Sequence, residues 1–287
     1  MGKSTLVNRL VGRDVSITSP KPQTTRTRIL GVLRDTGWQA VLVDTPGIHD
    51  ARDPLNLRLV RYALAALQDA DLILMLVEPL GQSAAGVHAP RKDDLQVLEH
   101  VRKAKAPAFL VVNKVDTASE EAVLETIRRY AALQRFAEIV PVSALTGRNV
   151  PRLAQLVSGQ LPAGPPYFEP DQVTDQSLPH LLGELVRQEV FRRLQEELPY
   201  STAVRVEHVE AKGKLHVVYA RVLVERESQK GIVIGKGGRT LKAIGQGARR
   251  RMEGLLGTRV YLDLAVAVLE NWSRNPRHLQ DLGYPEE

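Results

Sequence analysis

Three short apolar runs constrain this chain more than any other feature. Val41-Leu42-Val43 leads into Asp44, Leu72-Ile73-Leu74-Met75-Leu76-Val77 is continuous, and Phe109-Leu110-Val111-Val112 leads into Asn113. Segments of helical pattern separate them, so the first half alternates strand and helix, the rhythm of a mostly parallel sheet wrapped by helices. Runs of this length suit strands buried on both faces. Ligands of such sheets gather beyond the carboxyl ends of the strands, which makes the residues after each run the informative ones. At 287 residues, 43% hydrophobic and 5% aromatic, the chain has room for two domains with separate cores. No run approaches a membrane span, and we expect no secretion signal. The lack of cysteine excludes disulfides and thiol catalysis and suits a reducing cytoplasm, while the seven scattered His argue against a His-based metal cluster.

The residues after the runs are chemically specific. Gly2-Lys3-Ser4-Thr5, opening a helical Leu6-Val7-Asn8-Arg9-Leu10, reads as the closing half of a phosphate-binding loop, G-x-x-x-x-G-K-[ST]. In that loop backbone N–H groups cradle phosphates, the Lys meets the outer ones and the hydroxyl holds Mg2+. Met1 stands at the last spacer, and the first Gly and the strand that delivers it are not in the sequence. We therefore expect a start recorded too late, or residues lost ahead of Met1, and weak nucleotide binding by a domain left in that state. Alone, the tetrapeptide would be an ordinary helix start.

Asp44-Thr45-Pro46-Gly47-Ile48 follows the first run. Its D-x-x-G spacing lets a carboxylate reach Mg2+ while the Gly N–H approaches a terminal phosphate, although in isolation these residues make a plain turn. Asn113-Lys114-Val115-Asp116 follows the third run and is more specific. A carboxylate there accepts two hydrogen bonds from a base edge with N1–H and an exocyclic amine, which guanine has and adenine lacks. Ser143-Ala144-Leu145, after the short strand Ile139-Val140-Pro141-Val142, can meet the base from the other side with its backbone. In Gln23-Thr24-Thr25-Arg26, a Thr hydroxyl can complete the Mg2+ shell; a plain loop is the default reading.

Leu161-Pro162-Ala163-Gly164-Pro165-Pro166 cannot continue a helix and marks a boundary. We assign residues 1–163 to a nucleotide-binding domain, 164–177 to a linker and 178–287 to a second domain. There Leu182, Val186, Val190 and Leu194, with Leu185, recur as an amphipathic helix, and 202–209 with 215–224 read as a hairpin around Lys212-Gly213-Lys214. Ile232-Val233-Ile234-Gly235-Lys236-Gly237-Gly238-Arg239 places G-x-x-G between an apolar turn and a helix, the backbone clamp with which KH domains approach nucleotide phosphates. In that helix Leu241, Ile244, Ala248, Met252 and Leu255 form an inward stripe, leaving Arg239, Lys242, Arg249 and Arg250 to solvent. Residues 212–259 carry 12 basic and 3 acidic side chains, a local excess that favours a polyanion over the modest net charge of +6. Bases would lie in an apolar groove near Ile232, Val233 and Ile234. Trp272 and Tyr284 are expected to pack a C-terminal helix capped by Ser273 and ended by Gly283.

Five motifs thus follow the order of a translation-factor-type GTPase. The wording of Ser16-Ile17-Thr18-Ser19-Pro20-Lys21-Pro22-Gln23-Thr24-Thr25-Arg26, of Asp44 to His49, of Pro166-Tyr167-Phe168 and Val173-Thr174-Asp175, and of Glu197-Leu198-Pro199-Tyr200-Ser201 resembles the bacterial Era family over nearly the entire chain. The resemblance implies an α/β, Ras-like P-loop GTPase domain with a mostly parallel sheet, then an α+β type II KH domain in the order helix, strand, strand, loop, helix, strand. It implies GTP/GDP and Mg2+ as cofactors, with Ser4, Thr25 and Asp44 on the metal and Lys3, Thr25 and Gly47 at the reacting phosphate. The nucleotide contacts would be Gly2 to Thr5, Asp44 to Ile48, Asn113 to Asp116 with Asn113 and Asp116 reading guanine, and Ser143 to Leu145. RNA would meet Ile232, Ile234, Gly235, Lys236, Gly237, Gly238, Arg239, Lys242, Arg249 and Arg250. The implied partner is the 3′ region of small-subunit ribosomal RNA, and the role a nucleotide-governed step in small ribosomal subunit assembly. The expected state is a cytoplasmic monomer without DNA, with membrane-surface association as a family habit. Ile48 stands where many relatives of Ras carry a water-orienting Gln, so slow intrinsic hydrolysis is expected. The alternative is an RNA-binding assembly module with a degenerate, non-hydrolysing G domain.

Overall fold

The computed structural model describes residues 1–21, 23–48, 51, 53–83, 86–87 and 89–284. Pro22 and His49, within segments quoted above, lie outside them. The elements in order are α1 (Lys3–Val11), β1 (Ile29–Asp35), β2 (Trp38–Asp44), α2 (Pro54–Gln68), β3 (Ile73–Val77), the two-residue strands β4 (Gln82–Ser83) and β5 (Gly86–Val87), α3 (Lys92–Lys103), β6 (Ala108–Val112), α4 (Glu120–Leu133), β7 (Glu138–Pro141), α5 (Val150–Ser158), α6 (Leu178–Arg193), β8 (Ala203–Lys212), β9 (Leu215–Val224), α7 (Glu227–Ile234), α8 (Arg239–Leu256), β10 (Arg259–Val268) and α9 (Pro276–Asp281).

The chain divides into two compact units. The first holds residues 1–16, 25–51 and 59–175, and its strands form two main pieces. β3, β6 and β7 are parallel in the order β3-β6-β7, as the alternation of strand and helix requires, while β1 and β2 form an antiparallel hairpin with no ladder to β3. The run Val41–Val43 pairs antiparallel with β1, as the two-residue connection between them requires, and makes no ladder with β3, β6 or β7. Of the three runs only the one in β6 is buried along its whole length. Phe109 and Val111 face a core shared with Leu6 and Leu10 of α1, Leu42 of β2 and Leu153 of α5, whereas Leu110 and Val112 face Met75, Leu98 and Tyr130.

The stretch read as a linker belongs mostly to this unit. Gln39 Oε1 accepts the N–H groups of Tyr167 (2.9 Å) and Phe168 (3.1 Å), Arg34 donates to the carbonyls of Phe168 (3.1 Å) and Glu169 (2.8 Å), and Val32 N donates to Val173 O (2.9 Å). The outer edge of β1 supplies the backbone partner that proline-rich chain lacks within itself.

The second unit holds 176–287 together with 17–24 and 52–58. β8, β9 and β10 form one sheet with β9 central, antiparallel to β8 and parallel to β10. Leu182, Val186 and Val190 of α6 pack with Val218 and Val222 of β9 and with Ile244, Ala248 and Met252 of α8. Three expectations change here. Ile232-Val233-Ile234, read as an apolar turn, is the last turn of the helix α7 (Glu227–Ile234), and Val233 is a core residue with no exposed surface. Leu255 is 44% exposed and its neighbour Leu256 packs against the core instead, at the last turn of α8. Asn275, not Ser273, caps α9, accepting from Arg277 N at 3.0 Å, while Ser273 Oγ donates to Glu225 at 2.5 Å. Trp272 and Tyr284 are buried and stacked at 6.5 Å, and Gly283 follows α9 at φ 84°.

Leu153 is fully buried where α5 meets β6. Leu153→Ala should cost about 2–5 kcal/mol of stability through lost burial and a residual cavity. Chemical denaturation of wild type and variant checks this; a difference below about 0.5 kcal/mol would mean that α5 is not part of this core.

Candidate functional site

α1 starts at a residue only glycine tolerates. Gly2, its N-cap, has φ 81°, and a Cβ there would stand 2.8 Å from Asn113 Nδ2. The helix N-terminus, with its unpaired N–H groups and positive dipole end, is thus presented beside the exits of β2 and β6. Three predicted metal ligands converge at this point. Ser4 Oγ lies 2.9 Å from Thr25 Oγ1, which donates to Asp44 Oδ2 at 3.4 Å. Gly47 stands against Lys3: a Cβ on it would be 4.0 Å from Lys3 Nζ.

Charge makes this cluster reactive. Asp44 is 2% exposed, and burial pushes its carboxyl up against the lowering effects of Lys3 and of the neighbouring Ser4, Ser16 and Thr25 hydroxyls, of which Thr25 donates to it. Burial likewise pushes the Lys3 ammonium down against the raising effect of Asp44. Both groups are driven toward neutrality, and Asp44 Oδ1 is buried with no hydrogen-bond partner. A hard divalent cation on the Asp44 side, whose donors are all oxygens, and an anion on the Lys3 side would each favour the charged form. The donor set therefore fits Mg2+ and phosphate. Of the neighbouring motif residues, Pro46 is buried, Thr45 and Ile48 are partly buried after β2, and Thr5 lies partly buried one step beyond Ser4.

The second group of motifs is brought to the same end of the sheet, with altered roles. Asn113, 1% exposed, donates from Nδ2 to Met1 O at 2.8 Å and accepts Ala144 N on Oδ1 at 2.9 Å. Its amide is engaged by the chain itself, whereas Asp116 is exposed in a 3-10 turn at 115–117. Val115 turns into the core and its N–H bonds Val142 O at 3.2 Å, an anchor rather than a ligand contact. Ser143 is buried and accepts Thr146 N at 3.1 Å, leaving Leu145 70% exposed. Two residues that sequence reasoning missed hold these loops. Arg9 Nε donates to Ala144 O at 3.1 Å and its Nη2 to Leu145 O; no local signal marks a contact across 135 residues. Glu78, just after β3, pairs with Lys114, with Arg91 at 2.9 Å and with the amino group of Met1 at 2.9 Å. Lys114 itself is held at φ 66°.

In the second unit the G-x-x-G loop closes α7 and opens α8. Gly235 has φ 73°, and a Cβ on it would stand 2.2 Å from Thr240 Oγ1; Gly237 and Gly238 have φ 60° and 75° with nothing within 4 Å of a Cβ. The first is required by packing, the other two leave the main chain open to an approaching ligand. Ile232, Lys236, Arg239, Lys242, Arg249 and Arg250 are exposed around it, and Ile234 is partly buried. Ile232 and Ile234 remain available as an apolar flank, Val233 does not.

Comparison with known proteins joins the two halves. A family profile described as "50S ribosome-binding GTPase" matches residues 1–114, and a KH domain profile matches 197–273. GTPase Era of Geotalea uraniireducens is 48% identical over 99% of this chain and 94% of its own length, and GTPase Era of Geobacter metallireducens is 46% identical with the same coverage. The chain belongs to the Era family of GTPases. Two solved Era structures each align with a TM-score of 0.92 at 36% identity, over 99% of this chain and 95% of theirs. One is Era in complex with MgGDPNP and nucleotides 1506–1542 of 16S ribosomal RNA, the other an Aquifex aeolicus Era variant bound to GDP and AlF4−.

Burial raises the Glu78 carboxyl, but hydrogen bonds from Lys114, the chain's amino group and Arg91 outweigh it and hold the group down at about 2 against an ordinary 4.5. A folded-state value below the unfolded one means that this stabilisation is complete above the unfolded value and fades as pH falls toward 2. The stability difference between wild type and Glu78→Gln should thus be present at neutral pH and shrink from about pH 4.5 downward. Denaturation midpoints across that range decide it: a pH-independent difference would mean the carboxylate is not held by these cations.

Proposed function

We infer that this chain binds GTP and GDP with Mg2+, hydrolyses GTP, and grips RNA of the small ribosomal subunit during its assembly. The observation that carries the reading is the convergence of Lys3, Ser4, Thr25, Asp44 and Gly47 at one helix start in a chain that aligns end to end with an Era solved with MgGDPNP and 16S ribosomal RNA. The GTPase profile over 1–114 is described by the large subunit; the RNA complex is the better guide because it spans both halves.

In the proposed site the Lys3 ammonium and the α1 amides meet the outer phosphates, and the Gly47 N–H approaches the terminal one without a side chain in its way. Ser4, Thr25 and Asp44 hold Mg2+, whose charge would neutralise the phosphate oxygens. Asp116 reads the guanine edge, while Asn113 and Arg9 set the distance between the phosphate and base loops. Ile48 has no group to orient water, so turnover is slow until another group or the ribosomal partner supplies one. The division at residues 163 and 177 is retained as a functional one: nucleotide chemistry before it, RNA binding after it. The place of work inferred is the cytoplasm, where subunits assemble; association with the membrane surface follows from family resemblance alone, and no helix among the described residues is long and apolar enough to cross a membrane.

Asp116→Asn should move nucleotide preference from GTP to xanthosine triphosphate by a factor on the order of 10^4, because a site built for a hydrogen-bonding pattern rejects its mismatch strongly. Competition binding tests it, and an unchanged preference for GTP would mean the base is read elsewhere. A chain that binds GTP with that preference and never releases phosphate, even with ribosomal subunits, would favour the binding-module alternative.

Gly237→Asp together with Gly238→Asp puts two carboxylates and two strained φ angles where phosphates approach, and should abolish salt-dependent binding of the 1506–1542 RNA. Retained binding in a filter or anisotropy titration would remove the glycine loop from the RNA site.

A further inference from the structure

The described residues hold a second cationic cluster, away from the glycine loop. Glu189 of α6 is 3% exposed, yet its carboxylate is met by three guanidinium groups: Arg251 Nε of α8 at 3.0 Å, Arg193 Nη1 at 2.8 Å and Arg192 Nη1 at 3.7 Å. Each arginine side chain keeps roughly a third of its surface in solvent. The carboxylate sits directly beneath Gly247, one turn before Arg251; a Cβ there would stand 2.1 Å from Glu189 Oε2. Close packing of α6 on α8 at this glycine is what lets one buried acid reach arginines of both helices.

One carboxylate balances one cation. The cluster therefore carries an excess of two positive charges at fixed positions, with guanidinium donors directed beyond Glu189: Arg251 uses Nε for the ion pair, which leaves its two Nη nitrogens to another acceptor. Three guanidinium groups held this close repel one another, and an anion bridging them offsets that repulsion. Planar forks with parallel N–H groups match phosphate oxygens.

We propose that the Arg192–Arg193–Arg251 triad, pinned by Glu189, is a second phosphate grip for the RNA backbone, separate from the G-x-x-G clamp. Arg251 lies twelve residues along α8 from Arg239, about 18 Å at 1.5 Å per residue, and KH loops contact only about four nucleotides. Lys242, Arg249 and Arg250 are exposed on the same helix, while Arg251 projects from another side of it toward α6. Cations spread along one helix favour a polyphosphate chain over a lone anion. The contacts are to backbone, so the grip adds affinity and orientation without reading bases. The proposal rests on the RNA-binding reading above.

The test uses the full chain and the 1506–1542 RNA. Arg192→Gln with Arg193→Gln keeps the Arg251–Glu189 pair and should weaken binding roughly tenfold near 0.1 M salt, with the slope of log K against log salt shallower by about 0.7–1.4, one or two phosphate contacts. Unchanged affinity and slope would overturn the grip. Glu189→Gln retains all three arginines and removes the internal acid; equal or tighter binding supports the proposal, and weakened binding by a folded variant makes the cluster purely structural. It also decides the matter should the double variant fail to fold. Binding of vesicles rich in anionic phospholipid that is lost in the arginine variant while RNA binding persists would reassign the cluster to a lipid surface. Failure of the underlying reading is separate: RNA binding that survives Gly237→Asp with Gly238→Asp removes the clamp, whatever the arginine variant does.

Discussion

Two opposite charges withdrawn from water near each other, a partly buried Lys3 and a buried Asp44, are the constraint around which this end of the first unit is arranged. Withdrawing both from water drives the ammonium down and the carboxyl up, and their mutual attraction does not cancel the effect. Such a pair is a poor way to stabilise a fold. Its value lies in what it attracts: an anion beside the lysine and a hard cation beside the aspartate each relieve a desolvation that the protein has already incurred. Every other element of the site serves to hold those two groups at one helix start.

The supports are single side chains that bridge loops distant in sequence. Asn113 ties Met1 O to Ala144 N, Arg9 ties α1 to the carbonyls of Ala144 and Leu145, and Glu78 gathers Lys114 and Arg91. These loops have little regular structure, so their spacing is set by side-chain bonds to a rigid sheet end. The hairpin β1-β2 and the sheet β3-β6-β7 are not joined by a ladder, and the core that contains Leu42 and Phe109 connects them instead.

The second unit solves a different problem, bringing main chain close to a polyanion. Positive φ at Gly235, Gly237 and Gly238 turns α7 sharply into α8, and no side chain covers the last two residues. Cations on α8 then surround a surface that side chains do not block. The Glu189 cluster, farther along α8, follows the same logic of absent atoms, since the missing Cβ at Gly247 makes room for a buried acid. In both places glycine acts by letting charge approach backbone.

Local sequence was enough to reveal most of this chemistry. The Gly-Lys-Ser-Thr helix start, the Asp44 turn, Asp116 at a strand exit and the G-x-x-G clamp each depend on residue type and short spacing, which a single strand or helix preserves wherever it packs. Sequence also determined the type of nearly every long element, because period 2 and period 3.6 are properties of one segment. Tertiary structure alone decided what those segments do together: that Val41–Val43 pairs antiparallel, that residues 167–173 bind the edge of β1, that Asn113 bridges Met1 and Ala144, and that Arg9 and Glu78 hold the loops after β7 and β6. Each of these rests on contacts between residues far apart along the chain, whose energies depend on burial and on which hydrogen-bond partners remain, and neither quantity exists until the chain has folded.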